Sequence, residues 1–431
     1  MLETTARVHM PQPSVCVRIH RRTSRDFLLK CVEVIREGLG MPAIYNDEIA
    51  IPSLTSRGIP LEEARENFAI IGCVEMGIQG KLCAFANSGY FNLVKALEIT
   101  LNNGVDPVTG LELGIKTGNP EDFASFNDLM NAYLAQVDEL LKHMISVTNV
   151  VDTMHARILP LPFVTAITDD CIERGLEVQS GGARYNTEGI QAVGVADVTD
   201  SLAAIKKLVF EDKALSMKQL MDAVRANFEG YEVVHRMVKK NVPHYGNNDP
   251  YTDTIARTVT SHFCHSVEQY RSPRGGIFLP GIYSNSANVP LGAVCGATPN
   301  GRKAFTPIAE ACSPCHGSEQ YGPTQAALSV ASLDHLLMTN GSQYNQKYHP
   351  SALAGESGLN ALADLILTYF EAGGYHIQVN VVSADVLRRA QAHPVKYRDL
   401  VVRVAGYTAF FIDLNRAIQE DIIDRTELSF G

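Results

Sequence analysis

The apolar positions of the chain change their period many times between the two ends. Val15, Val17 and Ile19 follow Pro11 and Pro13 as an extended segment leading into a strand. Phe27, Leu28, Cys31, Val32 and Ile35 recur at three- and four-residue spacing, which predicts a helix over 24–38. Gly38-Leu39-Gly40-Met41-Pro42 ends it, and Ala43-Ile44-Tyr45-Asn46 follows as a short buried strand. A helix over 61–67 leads to the strand Phe68-Ala69-Ile70-Ile71 and then to Gly72-Cys73-Val74-Glu75-Met76-Gly77. Helical spacing returns over 89–103 and 124–148, with a Gly/Pro/Asn-rich connection over 104–122. Residues 160–175 suggest a strand or buried helix, 180–186 a loop, and 189–205 a segment of small residues. Helices are expected near 199–210, 216–228 and 254–270, and loops with short strands over 272–303. Helices near 359–372, 384–392 and 415–425, with a strand over 376–382, frame a last apolar run at 401–411. Strands alternating with helices predict an α/β architecture.

Composition narrows the function classes. At 431 residues and 45% hydrophobic, the chain can bury a large core as one big domain or two to three smaller ones. A net charge of −10 with scattered basic residues argues against nucleic acid or an anionic membrane as partner. No apolar stretch has the length of a membrane span, and the first residues lack a charged-then-apolar export pattern. The expected location is the cytoplasm. Nine scattered cysteines, an odd number, suggest reduced thiols rather than a disulfide framework.

Two stretches carry chemistry. In Val401-Val402-Arg403-Val404-Ala405-Gly406-Tyr407-Thr408-Ala409-Phe410-Phe411 a single glycine interrupts bulky residues. A strand glycine often marks the close approach of another backbone. It is also the residue best able to hold a carbon-centred radical: without Cβ the centre can become planar between an electron-donating amide nitrogen and an electron-withdrawing carbonyl. In the second stretch, Cys73 stands two residues before the carboxylate of Glu75. A free cysteine by itself is most often a small buried hydrophobe.

Together these strings resemble the glycine and cysteine loops of the glycyl radical enzymes, the family of pyruvate formate-lyase. The similarity extends to Gly181–Asn186, to Gly296-Ala297-Thr298-Pro299-Asn300-Gly301-Arg302-Lys303 and to the tail from Asp399 to Leu428. It implies residues 1–303 as the C-terminal part of a pyruvate formate-lyase-like domain and 311–431 as a glycine radical domain. The implied fold is the C-terminal half of a ten-stranded α/β barrel surrounded by helices, with the two loops meeting inside. Gly406 would store the radical, Cys73 would become a thiyl, and Glu75 would be the general base on a substrate hydroxyl. Gly72 stands where pyruvate formate-lyase carries a second adjacent cysteine, so Cys-x-Glu places the chain with the lyase/dehydratase branch. That branch cleaves a C–O, C–N or C–S bond in a small hydroxylated substrate. Ala86-Asn87 occupies the position of a His-Asp pair found in several dehydratases, which counts against glycerol or propanediol. Tyr90 falls at a substrate-pocket position, where a tyrosine can equally serve packing.

No bound cofactor is implied. The resemblance calls for a separate radical-SAM activating enzyme, anaerobic conditions and a homodimer when complete. Full members are far longer, which implies a split subunit with an N-terminal-half partner, a truncated product or a fragment. Two other readings remain open: C–C cleavage of the formate acetyltransferase or decarboxylase type, and a non-catalytic subunit. Cys312-Ser313-Pro314-Cys315-His316 matches a haem-attachment spacing, but this accords better with a coincidence in a Ser-Pro loop.

Overall fold

The computed structural model describes residues 1–430. Along the chain its strands are β1 (Cys16–Ile19), β2 (Ala43–Asn46), β3 (Phe68–Ile71), β4 (Glu75–Ile78), β5 (Leu82–Asn92) and β6 (Tyr185–Val193). They continue as β7 (Ile277–Gly281), β8 (Asn345–Tyr348), β9 (His376–Val381), β10 (Val401–Arg403), β11 (Thr408–Phe410) and β12 (Glu427–Leu428). One sheet has the order β1-β2-β9-β8-β12 and another the order β5-β6-β7. Ile282 donates to Gly341 O and accepts from Gln343 N, both at 3.0 Å, which links the end of β7 to the segment entering β8. Among the described residues the strands do not close on themselves: β5 pairs only with β6, and β1 only with β2. The α/β class stands as expected, as part of an open barrel wall.

Helices cover the outside. Ser125 and Asp128 form a reciprocal capping box that starts the helix Phe126–Ile158. Its apolar face packs against the helices Leu93–Thr100 and Pro250–Glu268, which in turn pack on Val195–Ile205, in the largest core. Val195–Ile205 is buried on every side, so its carboxylates need internal partners: Asp197 accepts from Ala309 N and Asn300 Nδ2, and Asp200 from Tyr245 N. A second core surrounds Cys73 and Val74 with Tyr45, Tyr283 and Tyr375, and a third gathers Val402, Val404 and Phe411. Among the described residues no helix is long and apolar enough to cross a membrane.

Several elements differ from expectation. Residues 82–92 form a long strand where a helix was expected from 89, and the helix there is only Leu93–Thr100. The apolar residues of 160–175 form two short helices with exposed faces instead of a buried element. The small residues after 185 split into β6 and the helix Val195–Ile205 at Gly194, whose φ of +91° turns the chain. Helices Asp47–Ser56 and Gly322–Ala331 and strand β8 carried too few periodic apolar positions to stand out, and the short helix Glu232–Lys240, with Val234, Met237 and Val238 at helical spacing, was not expected.

Candidate active site

Two hairpins, from distant parts of the chain, meet inside the sheet. β3 and β4 pair antiparallel and carry Cys73 in the turn, and β10 and β11 do the same for Gly406. Gly406 has φ +85°. A Cβ built on it would overlap Cβ and Sγ of Cys73 and lie 3.0 Å from its Cα. No other residue type fits there. Both the left-handed backbone and the contact with the cysteine require glycine.

The cysteine hairpin is held mainly by a carboxylate. Glu75 Oε2 accepts from the backbone N–H groups of Cys73 at 2.8 Å and Val74 at 2.7 Å. The Tyr283 hydroxyl lies 3.0 Å from Glu75 Oε1 and 2.8 Å from Ala86 O. Tyr45 and Tyr375 donate to the carbonyls of Cys73 and Val74, at 2.5 and 2.8 Å. Cys73 is 6% exposed and Glu75 5%. Burial, followed by the neighbouring Glu75, pushes the Cys73 thiol up to about 12, so it carries its hydrogen at neutral pH. Burial also raises Glu75 against the opposing pull of its hydrogen bonds, giving the carboxylate a stronger hold on a proton.

The glycine hairpin is held by a cation and carboxamides. Arg403, fully buried, donates through Nε to Gln378 Oε1 at 2.7 Å and through Nη1 to Thr408 Oγ1 at 3.1 Å. The same Gln378 oxygen accepts the N–H of Gly406 at 3.2 Å. Asn380 bonds both the N–H and the carbonyl of Arg403. Gly40 makes room for this packing, since a Cβ there would overlap that of Arg403. Burial pulls the Arg403 guanidinium down from its ordinary range.

A third loop completes the site. Asn285 Oδ1 accepts from Cys73 Sγ at 2.7 Å, and its Nδ2 donates to the Tyr90 hydroxyl at 2.6 Å. Asn87 Nδ2 donates to the same oxygen at 2.7 Å, so the phenolic hydrogen of Tyr90 is free for a further partner. Tyr90 belongs to β5 rather than to a helix start. With Asn285, Pro290, Asn415 and Ile418 it lines an open cavity of about 630 Å³. Thus Cys73, Glu75 and Gly406 come together directly, and Tyr90 joins them through Asn285. Residues Tyr283, Asn285, Gln378 and Arg403 received no role from the sequence. Tyr283 and Asn285 follow the carboxyl end of parallel strand β7, the position where α/β sheets present ligand-binding loops. That placement is the signal that could have found them.

Comparison with known proteins gives the family. A model described as pyruvate formate lyase-like matches residues 1–292, and one described as glycine radical matches 308–412. The chain belongs to the glycyl radical enzyme family. It is 40% identical to a trans-4-hydroxy-L-proline dehydratase of Clostridioides difficile over all of this chain and 54% of that protein. It is 38% identical to a (2S)-3-sulfopropanediol dehydratase of Klebsiella oxytoca, again over all of this chain and 52% of that one. The glycerol-bound form of the B12-independent glycerol dehydratase from Clostridium butyricum superposes with a TM-score of 0.97 and 46% identity, covering all of this chain and 54% of that one. The chain therefore spans about half the length of the relatives it matches. Cys312 Sγ contacts Ile282 O and Cys315 Sγ contacts Asp197, and among the described residues no His, Cys, Asp and Glu cluster could hold a metal ion.

Proposed function

We propose that this chain carries the radical machinery of a glycyl radical lyase/dehydratase acting on a small hydroxylated molecule. The observation that carries the reading is the direct contact of Cys73 with Gly406, a left-handed backbone position at which a Cβ would overlap the cysteine. In the first step the Gly406 Cα radical takes the hydrogen atom of Cys73 Sγ–H, leaving a thiyl radical. The thiyl takes a hydrogen atom from a substrate C–H beside a hydroxyl. Glu75 Oε1, which has a lone pair beyond its contact with Tyr283, accepts the hydroxyl proton. The resulting ketyl-like radical expels the leaving group on the neighbouring carbon with its electron pair, and the Glu75 proton can follow it. The product radical then recovers the hydrogen atom from Cys73, and the thiyl so formed takes the Cα hydrogen of Gly406, restoring the Cys73 S–H and the glycyl radical. Tyr90, with its phenolic hydrogen unclaimed, donates to a substrate oxygen.

The reading calls for a separate radical-SAM activating enzyme, anaerobic conditions in the cytoplasm, and the N-terminal half that the relatives carry, in the same chain or another, with dimerisation of the completed enzyme. The test is an electron paramagnetic resonance spectrum after anaerobic treatment with an activating enzyme and S-adenosylmethionine, with and without the N-terminal half of a relative. A glycyl doublet that is lost in Gly406→Ala is expected in at least one arm. Silence in both arms contradicts the proposal, as does full turnover by Cys73→Ser.

A further inference from the structure

The Cys73 thiol does not face an apolar wall: among the described residues its Sγ has one side-chain partner, the carboxamide oxygen of Asn285 at 2.7 Å, and a more distant backbone one, Ala405 O at 3.7 Å. The other end of that carboxamide is also engaged. Its nitrogen is committed to the Tyr90 hydroxyl, whose oxygen also accepts from Asn87. Asn285 itself sits at φ +53°, a left-handed conformation that asparagine tolerates better than other side-chain-bearing residues. The loop that bears it also bears Tyr283, which meets Glu75. One short stretch after β7 therefore reaches both members of the Cys-x-Glu pair.

Resting on the assignment of Cys73 as the hydrogen-transferring thiol, we propose that Asn285 is its positioning residue: an acceptor held by Tyr90 and Asn87 that keeps Sγ protonated and in place beside Gly406. Hydrogen-atom transfer needs an intact S–H, because a thiolate has no hydrogen to give. An acceptor beside Sγ favours the thiol, whereas a donor or cation would favour the thiolate. The burial that raises the thiol acts in the same direction.

The test reads thiol reactivity in the unactivated chain. The rate of iodoacetamide alkylation at pH 9 is followed by mass spectrometry on the Cys73 peptide, separately from the other eight cysteines. Removing the acceptor in Asn285→Ala lowers the thiol pKa and speeds alkylation about two- to fourfold, after allowance for the lower nucleophilicity of a more acidic thiol. Asn285 borders the open cavity, so an aspartate there ionises at this pH. Its charge raises the thiol pKa and slows alkylation by more than about fivefold. Tyr90→Phe, which only releases the clamp, falls between wild type and Asn285→Ala and serves if the loop variants fail to fold. Opposite signs for the two Asn285 variants are the signature of the clamp. Acceleration in both would mean that the loop merely opens, and unchanged rates in all three would mean that the contact is idle. Either overturns the proposal. Because no radical is formed in this assay, its failure leaves the radical assignment standing. Conversely, rates as expected in a chain that never yields a glycyl doublet would retain the clamp and remove the radical chemistry.

Discussion

The cysteine hairpin and the glycine hairpin are built alike, as two short antiparallel strands with a buried turn, yet they are anchored by opposite chemistry. A carboxylate, Glu75, gathers the N–H groups of the first, and phenols fix its carbonyls. A guanidinium, Arg403, and two carboxamides, Gln378 and Asn380, hold the second. The difference fits what each side must do. In the proposed mechanism the first side handles protons beside the reacting carbon, and it carries a group whose proton affinity burial has raised. The second must hold one backbone plane without offering a base, and it does so with groups that keep their protons near neutral pH.

If the anchors differ in this way, the largest loss of stability follows from the glycine side. Arg403→Ala leaves a cavity and strips Gln378 and Thr408 of a donor, and is expected to cost about 3 kcal/mol in a denaturant titration. Arg403→Met keeps most of the volume and recovers much of that loss. A smaller effect is expected from Tyr283→Phe, which removes one hydroxyl near Glu75 Oε1, about 1 kcal/mol. With an active preparation its kcat should fall while the glycyl signal persists; an unchanged kcat would separate Tyr283 from the chemistry.

The smallest effect is one of pH. The folded-state pKa of Glu75 is raised above its unfolded value, so its carboxyl favours folding most when protonated. That contribution is fully present below the unfolded value, about 4.3, and is lost as pH rises through the raised folded one. The melting temperature of wild type should therefore fall relative to Glu75→Gln between pH 5 and pH 9. Parallel curves would show that the carboxylate is paired well enough to titrate normally.

The same contrast bears on what the sequence could reveal. Cys73, Glu75 and Gly406 were legible because each lies in a short local string whose residue types serve the proposed chemistry. Their anchors were not. Gln378 lies in a strand that alternates polar and apolar residues with nothing to mark one of them, and Asn285 in a Gly- and Pro-rich stretch without periodicity, and both act across more than 25 residues of chain. Tyr90 shows the middle case. Its residue type drew attention, but the apolar spacing after it suggested a helix, and the register of β5 against β6 decided otherwise. The long helix from Phe126 was legible from its buried stripe, although Val147, Val150, Val151, Met154 and Ile158 continue at helical spacing on an exposed face. Periodicity reveals a helix and leaves open whether its apolar face is covered.

The central claim is that Cys73 and Gly406 exchange a hydrogen atom. It is tested most directly by recording the glycyl radical of the activated protein in D2O. The thiol hydrogen of Cys73 exchanges with solvent, so repeated transfer should place deuterium on the Gly406 α-carbon and collapse the doublet to a near-singlet. In Cys73→Ser the doublet should persist. A wild-type doublet that stays resolved in D2O, or one that collapses equally in Cys73→Ser, would contradict the account.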